Sequence, residues 1–277
     1  MSDHRHVANH YANGGLLAAI EAGVAALGKT PADMSVDDLG PVDEFHIGGR
    51  QASEDLLSQL DLAAEHEVLD VGCGLGGGAR FVASRYGSRV TGIDLTAEFV
   101  AAGNALSGWV GLADRVTLDH GSALDLPYAA GSFHAGYMLH VGMNIADKAA
   151  LMTAVHRVLR PGGVFAVYDI MRNGGGGDVT YPMPWAADAE TSALAPPDDY
   201  KRAFEAAGFE IVAERNRHDY AVAFFERLRA RMAAAGPPPL GLHIVMGENA
   251  TQKLGNMIDG VADGRIAPVE LIARKAG

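Results

Sequence analysis

The run Val68-Leu69-Asp70-Val71-Gly72-Cys73-Gly74-Leu75-Gly76-Gly77 places an acid two residues ahead of a glycine-rich turn. Glycines accept positive φ and let a ligand approach the backbone with no Cβ in the way, so the turn suits a nucleotide-like cofactor. Gly72, Gly74 and Gly77 satisfy the G-x-G-x-x-G spacing of dinucleotide-binding turns, which keeps a nicotinamide or flavin oxidoreductase open. Asp70 shifts the balance: it would repel a pyrophosphate, and no Lys or Arg stands between Glu67 and Ala79 to offset it. A cofactor carrying a sulfonium and an amino-acid group fits that charge, which favours S-adenosylmethionine. Asp94 lies at the separation from Gly74 expected of an acid that takes ribose hydroxyls at the end of the next strand.

Methyl transfer from a sulfonium is an in-line displacement, so the protein has mainly to align the acceptor and exclude water. An amine acceptor needs a free lone pair and a carboxylate, carbonyl or ring near the cation that develops. A hydroxyl acceptor must lose its proton, and two histidines are candidates for that work. His140 follows a strand-like run, in Leu139-His140-Val141-Gly142-Met143-Asn144, and His46 sits in Asp43-Glu44-Phe45-His46-Ile47-Gly48-Gly49-Arg50. Met143 and Asn144 are candidates for lining the acceptor pocket, and the acids at 43–44 also read as caps of a helix beginning near Gly49.

Short apolar runs bounded by turns alternate with helical segments from His66 to Lys275. This predicts an α/β fold with a mostly parallel Rossmann-like sheet, helices on both faces and an added helical lid. Strands are expected near 66–71, 89–94, 115–119, 133–138, 163–170, 209–217 and 266–274. Pro268 cannot donate to a ladder, so it belongs at the periphery of the last strand. Residues 1–62 read as a helical lid, with helices over Gly14 to Leu27 and Gly49 to Leu60 and a short turn after Pro31; residues 63–277 form the core. Gly- and Pro-rich insertions near 173–197 and 220–262 are expected to fold over the carboxyl edge of the sheet, where open α/β sheets bind ligands. There Trp185, in Tyr181-Pro182-Met183-Pro184-Trp185, supplies an aromatic wall for the acceptor, and His243 faces the pocket.

The block Leu69-Asp70-Val71-Gly72-Cys73-Gly74 resembles the first motif of class I S-adenosylmethionine-dependent methyltransferases, and the segments that follow keep that family's order over about residues 64–171. Gly92-Ile93-Asp94-Leu95-Thr96 resembles the ribose-binding strand end, Gly121-Ser122-Ala123-Leu124-Asp125 the adenine loop, and Leu159-Arg160-Pro161-Gly162-Gly163 the turn before the fifth strand. The resemblance implies seven strands, the last antiparallel and inserted between two others. It assigns Asp70, Gly72, Gly74, Asp94, Leu95, Ser122, Ala123 and Leu139 to the cofactor. Ser122 departs from the acid usual at that place. The Phe45-His46-x-Gly-Gly run resembles the entrance segment of glycine, sarcosine and dimethylglycine methyltransferases and of phosphoethanolamine methyltransferases, and Tyr11 resembles their lid tyrosine. In those small-amine enzymes the run after the fourth strand carries an acid, then a histidine, then Asp-Lys; His140 falls near the acid and Asn144 near the histidine, so the familiar base is displaced. The resemblance therefore implies N-methylation of a small amine of the glycine, sarcosine or dimethylglycine type, with O- or C-methylation of a secondary metabolite, using His140 or His46 as base, as the alternative.

Composition bounds the partners. A net charge of −12 with 22 scattered Lys and Arg argues against nucleic acid and anionic membranes, leaving a small-molecule acceptor. At 277 residues and 48% hydrophobic content the chain can bury a large core, and no apolar run or leader-like N-terminus appears, so a cytoplasmic location is expected. The single cysteine, Cys73, excludes an internal disulfide and metal ligation by cysteine clusters; its place inside the glycine turn suits packing.

Overall fold

The computed structural model describes residues 15–247 and 249–277, so the lid tyrosine expected at Tyr11 lies outside the described residues. The chain forms a seven-stranded sheet in the order β3-β2-β1-β4-β5-β7-β6. Its strands are β1 (Glu67–Val71), β2 (Arg89–Asp94), β3 (Val116–His120), β4 (Phe133–Leu139), β5 (Leu159–Arg172), β6 (Phe209–Asn216) and β7 (Ile266–Lys275). β1 to β5 are parallel, and β7 runs antiparallel between β5 and β6. The strand order reverses beside β1, between β2 and β4, so the glycine turn after β1 opens at the topological switch point where such sheets take ligands.

Helices cover both faces. One face buries Leu69, Val71, Met138, Phe165 and Leu271 against Leu151, Met152, Tyr200 and Phe204. Those partners come from α6 (Lys148–Val158) and α7 (Pro197–Ala206). The other face sets Val68, Tyr137, Ala166 and Ile272 against Leu56, Ala79 and Phe81, from α3 (Gly49–Leu57) and α4 (Gly77–Tyr86). The alternation of neighbours such as Val68 and Leu69 between the faces is the period of two of a sheet covered on both sides.

β5 begins earlier than expected. Leu159 pairs with Phe133, then the register shifts before Val164 pairs with Ala135, so Arg160-Pro161-Gly162-Gly163 bulges from the ladder instead of lying ahead of the strand. Pro268 is the third residue of β7 and opposes Ile170. Its carbonyl accepts from the Arg217 amide, one residue past the end of β6. The side of the backbone where Pro268 lacks an N–H thus faces a ladder that has already ended.

Two more apolar clusters lie beyond the sheet. The first joins α1 (Leu16–Ala26) and α2 (Val36–Asp43) to Leu75, Phe99 of α5 (Ala97–Trp109), Leu240 and Val245. The second joins Ile47, Met143, Met183 and Trp185 to Phe225 of α8 (His218–Ala235) and Ile258 of α10 (Ala250–Ala262). A short helix, α9 (His243–Met246), lies between α8 and α10. α2 is an element the sequence reading did not anticipate. Ser35 opens it with a capping box to Asp38, although Pro41 lies inside. Asp43 and Glu44 therefore close α2 and do not cap α3, whose N-cap is Gly48. No helix among the described residues is long and apolar enough to cross a membrane.

Candidate active site

The glycine turn is shaped by local sterics. Gly72, Gly74 and Gly76 have φ of 70°, 53° and 78°. A Cβ on Gly72 would lie 2.4 Å from Val141 Cγ2, whereas one on Gly74 would meet nothing within 4 Å. Gly72 is thus needed for packing and Gly74 leaves an open cradle beside the backbone. Cys73 is buried, its sulfur 2.7 Å from where a Cβ on Gly92 would stand, and burial pushes its thiol well up; it packs the glycine turn against β2.

A cavity of about 240 Å³ opens over this turn. Asp70, Gly72, Gly74, Asp94, Leu95, Ser122, Ala123 and Leu139 all line it, as do His46, His140, Phe45 and Asn144. Asp94 half-closes one side, its two carboxylate oxygens accepting from the Gly74 and Thr96 amides at 2.8 Å each. Burial raises its pKa, while these amides and the Thr96 hydroxyl favour its charged form, and a carboxylate has acceptor sites for a ligand hydroxyl as well. Asp70 is 3% exposed and accepts from the Tyr137 hydroxyl at 3.0 Å. Burial raises its pKa to about 7, partly opposed by that hydrogen bond. A buried carboxylate with one neutral partner is a site awaiting positive charge. An acid for the ribose, an acid for a cation and an open glycine cradle fit S-adenosylmethionine.

The other end of the cavity is built from two imidazoles over a tyrosine. His140 directly follows β4 with φ of 55°, rare for a side-chain-bearing residue, and its amide donates to the Tyr168 carbonyl at 2.7 Å. Its ring centroid lies 5.9 Å from that of His46 and 5.1 Å from that of Tyr168. His140 Nε2 and Asn144 Oδ1 are buried without a hydrogen-bond partner among the described residues. Desolvation pushes the His140 pKa well below its ordinary value, helped by the neighbouring His46, and lowers that of His46 to about 4. Both rings are therefore neutral near pH 7.

The turn after His140 is pinned from beneath. Lys148 Nζ donates to the carbonyls of Gly142, Ile145 and Ala193 at 2.8, 2.5 and 3.0 Å. Asp169 accepts from the Tyr200 hydroxyl at 2.5 Å, and a Cβ on Gly142 would lie 2.3 Å from its Oδ2.

Three expected pocket residues lie elsewhere. Met143 and Trp185 are 3% exposed and packed in the cluster around Phe225 and Ile258, with Trp185 Nε1 donating to Ser192 Oγ at 3.0 Å. Trp185 is a core residue, not a wall of this cavity. His243 is exposed on α9, and the same short helix turns Val245 into the cavity instead. Asp43 and Glu44, expected as an acid pair and as helix caps, prove buried, at 7% and 3% exposure, in ion pairs with Arg80 and Arg50. Thr96, Phe99 and Val245 also line the cavity and were not anticipated. The turn following Asp94 held a signal for Thr96; nothing local marked Val245.

Comparison with known proteins places this geometry. Residues 69–167 match a family model described as a methyltransferase domain. "Methyltransferase GfsG" of Streptomyces halstedii is 32% identical over 63% of this chain and 64% of its own length. Phosphoethanolamine N-methyltransferase 1 of Triticum aestivum is 31% identical over 65% of this chain and 35% of its own. The chain thus spans less than two thirds of the length of these curated relatives. Among solved structures, geranyl diphosphate C-methyltransferase from Streptomyces coelicolor A3(2) superposes with a TM-score of 0.73 at 20% identity, covering 100% of this chain and 98% of that one. The [4+2]-cyclase SpnF superposes at 0.70 with 21% identity over 99% and 97%. Likeness at that identity concerns the fold, and the fold hosts more than one chemistry.

Proposed function

We propose that this chain, which carries a methyltransferase domain of the class I type, transfers a methyl group from S-adenosylmethionine to a hydroxyl of a small molecule. The observation that carries the hydroxyl is the pair of buried, unpartnered atoms His140 Nε2 and Asn144 Oδ1 on residues lining the cavity, beside a second neutral imidazole. Buried polar groups are ordinarily hydrogen-bonded, so these two call for a polar ligand, and a neutral imidazole can receive a hydroxyl proton.

When bound, S-adenosylmethionine supplies a methyl made electrophilic by the sulfonium. Asp94 and the Gly74 backbone would hold its ribose side, and Asp70 its positive charge. Ser122, Ala123, Leu95 and Leu139 line the remainder. His140 and Asn144 orient the acceptor, while Val42, Phe45 and Val245 line the same cavity and help exclude water from it. The described residues of 1–62, 173–197 and 220–262 are read as a lid, of which the first and last segments supply those apolar groups; the packing of all three in the two clusters beyond the sheet supports this.

The second reading is N-methylation of a glycine-type amine. The sequence resemblance favours it, as do phosphoethanolamine N-methyltransferases among the relatives. Calorimetry with S-adenosylmethionine and S-adenosylhomocysteine, followed by an acceptor screen for S-adenosylhomocysteine release, tests both. Release with phenols or alcohols and not with glycine, sarcosine or phosphoethanolamine is expected. Release with the amines alone would replace the hydroxyl reading with the amine one.

A further inference from the structure

The hydrogen bonds of His46 fix where its proton sits. Nε2 lies 3.1 Å from the Gly49 carbonyl oxygen, 3.1 Å from Ser53 Oγ and 3.4 Å from Glu44 Oε2. The Ser53 hydroxyl gives its own proton to Glu44 Oε2 at 2.7 Å, so toward the ring it can only accept. Glu44 Oε1 lies 2.9 Å from Arg50 Nε in an ion pair that lacks hydrogen-bond geometry, while Oε2 accepts from the Ser53 hydroxyl. Burial pushes the Glu44 pKa up; Arg50 and the Ser53 hydroxyl favour its charge. Three acceptors converge on Nε2. That nitrogen must carry the proton, and Nδ1 is left as the lone pair of a ring that lines the cavity.

His140 is differently placed. Its Nε2 has no partner among the described residues, so no protein group fixes which of its nitrogens carries the proton. We propose that His46, not His140, is the general base that deprotonates the acceptor through Nδ1, with Glu44 and Ser53 as the positioning residues that hold its Nε2–H tautomer. This rests on the hydroxyl-acceptor reading above.

In the step, the acceptor O–H bond breaks, the oxygen electron pair forms the bond to the methyl carbon, and the carbon–sulfur pair stays on sulfur. The proton passes to His46 Nδ1. The positive charge lost at sulfur reappears on the imidazolium, with Glu44 Oε2 at 3.4 Å from its far nitrogen. The other groups around this ring are Asp43 and Arg50 from the adjoining helices, His140 just after β4 and Tyr168 on β5; Tyr220 of α8 reaches the neighbouring Gly48. Asp43 favours the imidazolium and Arg50 disfavours it.

The test is nitrogen NMR of the full chain labelled at histidine, bound to S-adenosylhomocysteine, with the His46 signals assigned by their loss in His46→Gln. A neutral Nε2–H ring near pH 7 is expected; a neutral Nδ1–H ring or an imidazolium would overturn the assignment. Kinetics with the alcohol or phenol that releases S-adenosylhomocysteine form the second arm. Glu44→Gln should lower kcat about tenfold or more, steepen its dependence on pH and leave S-adenosylhomocysteine affinity within about twofold. Should Glu44→Gln fail to fold, Ser53→Ala takes its place, with a mixture of tautomers expected in the NMR and a fall in kcat. An unchanged kcat and pH profile in both, or in His46→Gln, overturns the role. A protein that binds neither S-adenosylmethionine nor S-adenosylhomocysteine overturns the underlying methyl-transfer reading, a result distinct from normal cofactor binding with an Nδ1–H ring.

Discussion

Asp94 and Asp70 face the same cavity with opposite preparation. Asp94 already accepts two backbone amides, so its carboxylate is oriented before a ligand arrives. Its loss removes a charge-assisted acceptor, a contribution of about 1.5–3 kcal/mol. Asp94→Ala should therefore weaken S-adenosylhomocysteine binding by roughly tenfold to a hundredfold by calorimetry; unchanged affinity would remove Asp94 from the ribose site. Among the described residues Asp70 accepts from the Tyr137 hydroxyl alone, and burial raises its pKa to about 7. A carboxyl whose folded pKa is raised holds its proton in the native state, so its contribution to stability is present in acid and falls as pH rises from the ordinary carboxylate range through about 7. A cationic ligand favours the ionised form. S-adenosylmethionine affinity should thus increase over the same range with proton release, which calorimetry in buffers of differing ionisation enthalpy would detect. These residues were legible in the sequence because the requirement is local: an acid, a turn of positive φ and a strand end within a few positions. The buried state of Asp43 and Glu44 was not, because Arg80, the cation facing Asp43, lies far along the chain and nothing near the acids announces it.

Trp185 shows where sequence reasoning about an element stops. The Gly- and Pro-rich stretch around it marks an irregular segment, but the side its aromatic ring takes depends on α8 and α10, which pack against it from beyond residue 218. The ring fills a core. Trp185→Ala should cost about 3–5 kcal/mol of stability, the usual consequence of emptying a buried aromatic site, and appear as a lower urea midpoint. S-adenosylhomocysteine affinity of the folded fraction should change little, since Trp185 does not line the cavity. A large affinity loss with an unchanged midpoint would return Trp185 to the acceptor wall. The same distinction explains α2 and His243. Gly40 and Pro41 obscure a helical period that tertiary packing nonetheless imposes. On α9 the face toward the cavity is chosen by contacts with α1 and α2, so Val245 points in and His243 out. The strands were easier to place, because β1, β4, β5 and β7 bury near-continuous apolar runs bounded by turns, a signal written in consecutive residues. The bulge opening β5 escaped because it depends on register with β4.

A buried ion pair is one of the contacts that tie the N-terminal helices to the helices packed on the sheet. Arg80 has no exposure, and its guanidinium reaches Asp43 Oδ2 at 2.6 Å, the Gly103 carbonyl at 3.0 Å and Ser107 Oγ at 3.1 Å. One side chain thus ties α2 to α4 and α5. The approach is close: a Cβ on Gly77 would sit 2.5 Å from the Asp43 carbonyl oxygen. Asp43 also lines the cavity, so the contact that docks the N-terminal helices is part of the cavity wall. Removing one partner leaves a desolvated charge, whereas removing both leaves an apolar contact. Asp43→Asn should therefore destabilise the protein by about 3–5 kcal/mol, while Asp43→Leu with Arg80→Met should recover most of that loss. The recovery is plausible sterically and polarly, because Ser107 Oγ itself donates to the Gly103 carbonyl at 3.0 Å and keeps it satisfied without Arg80. Urea denaturation of the wild type, Asp43→Leu, Arg80→Met and the double variant closes the thermodynamic cycle. Hydrogen exchange over residues 36–43 then separates docking from global stability. Asp43→Asn should raise exchange there before the sheet opens, and additive losses in the cycle would show that the pair does not couple the N-terminal helices to the core.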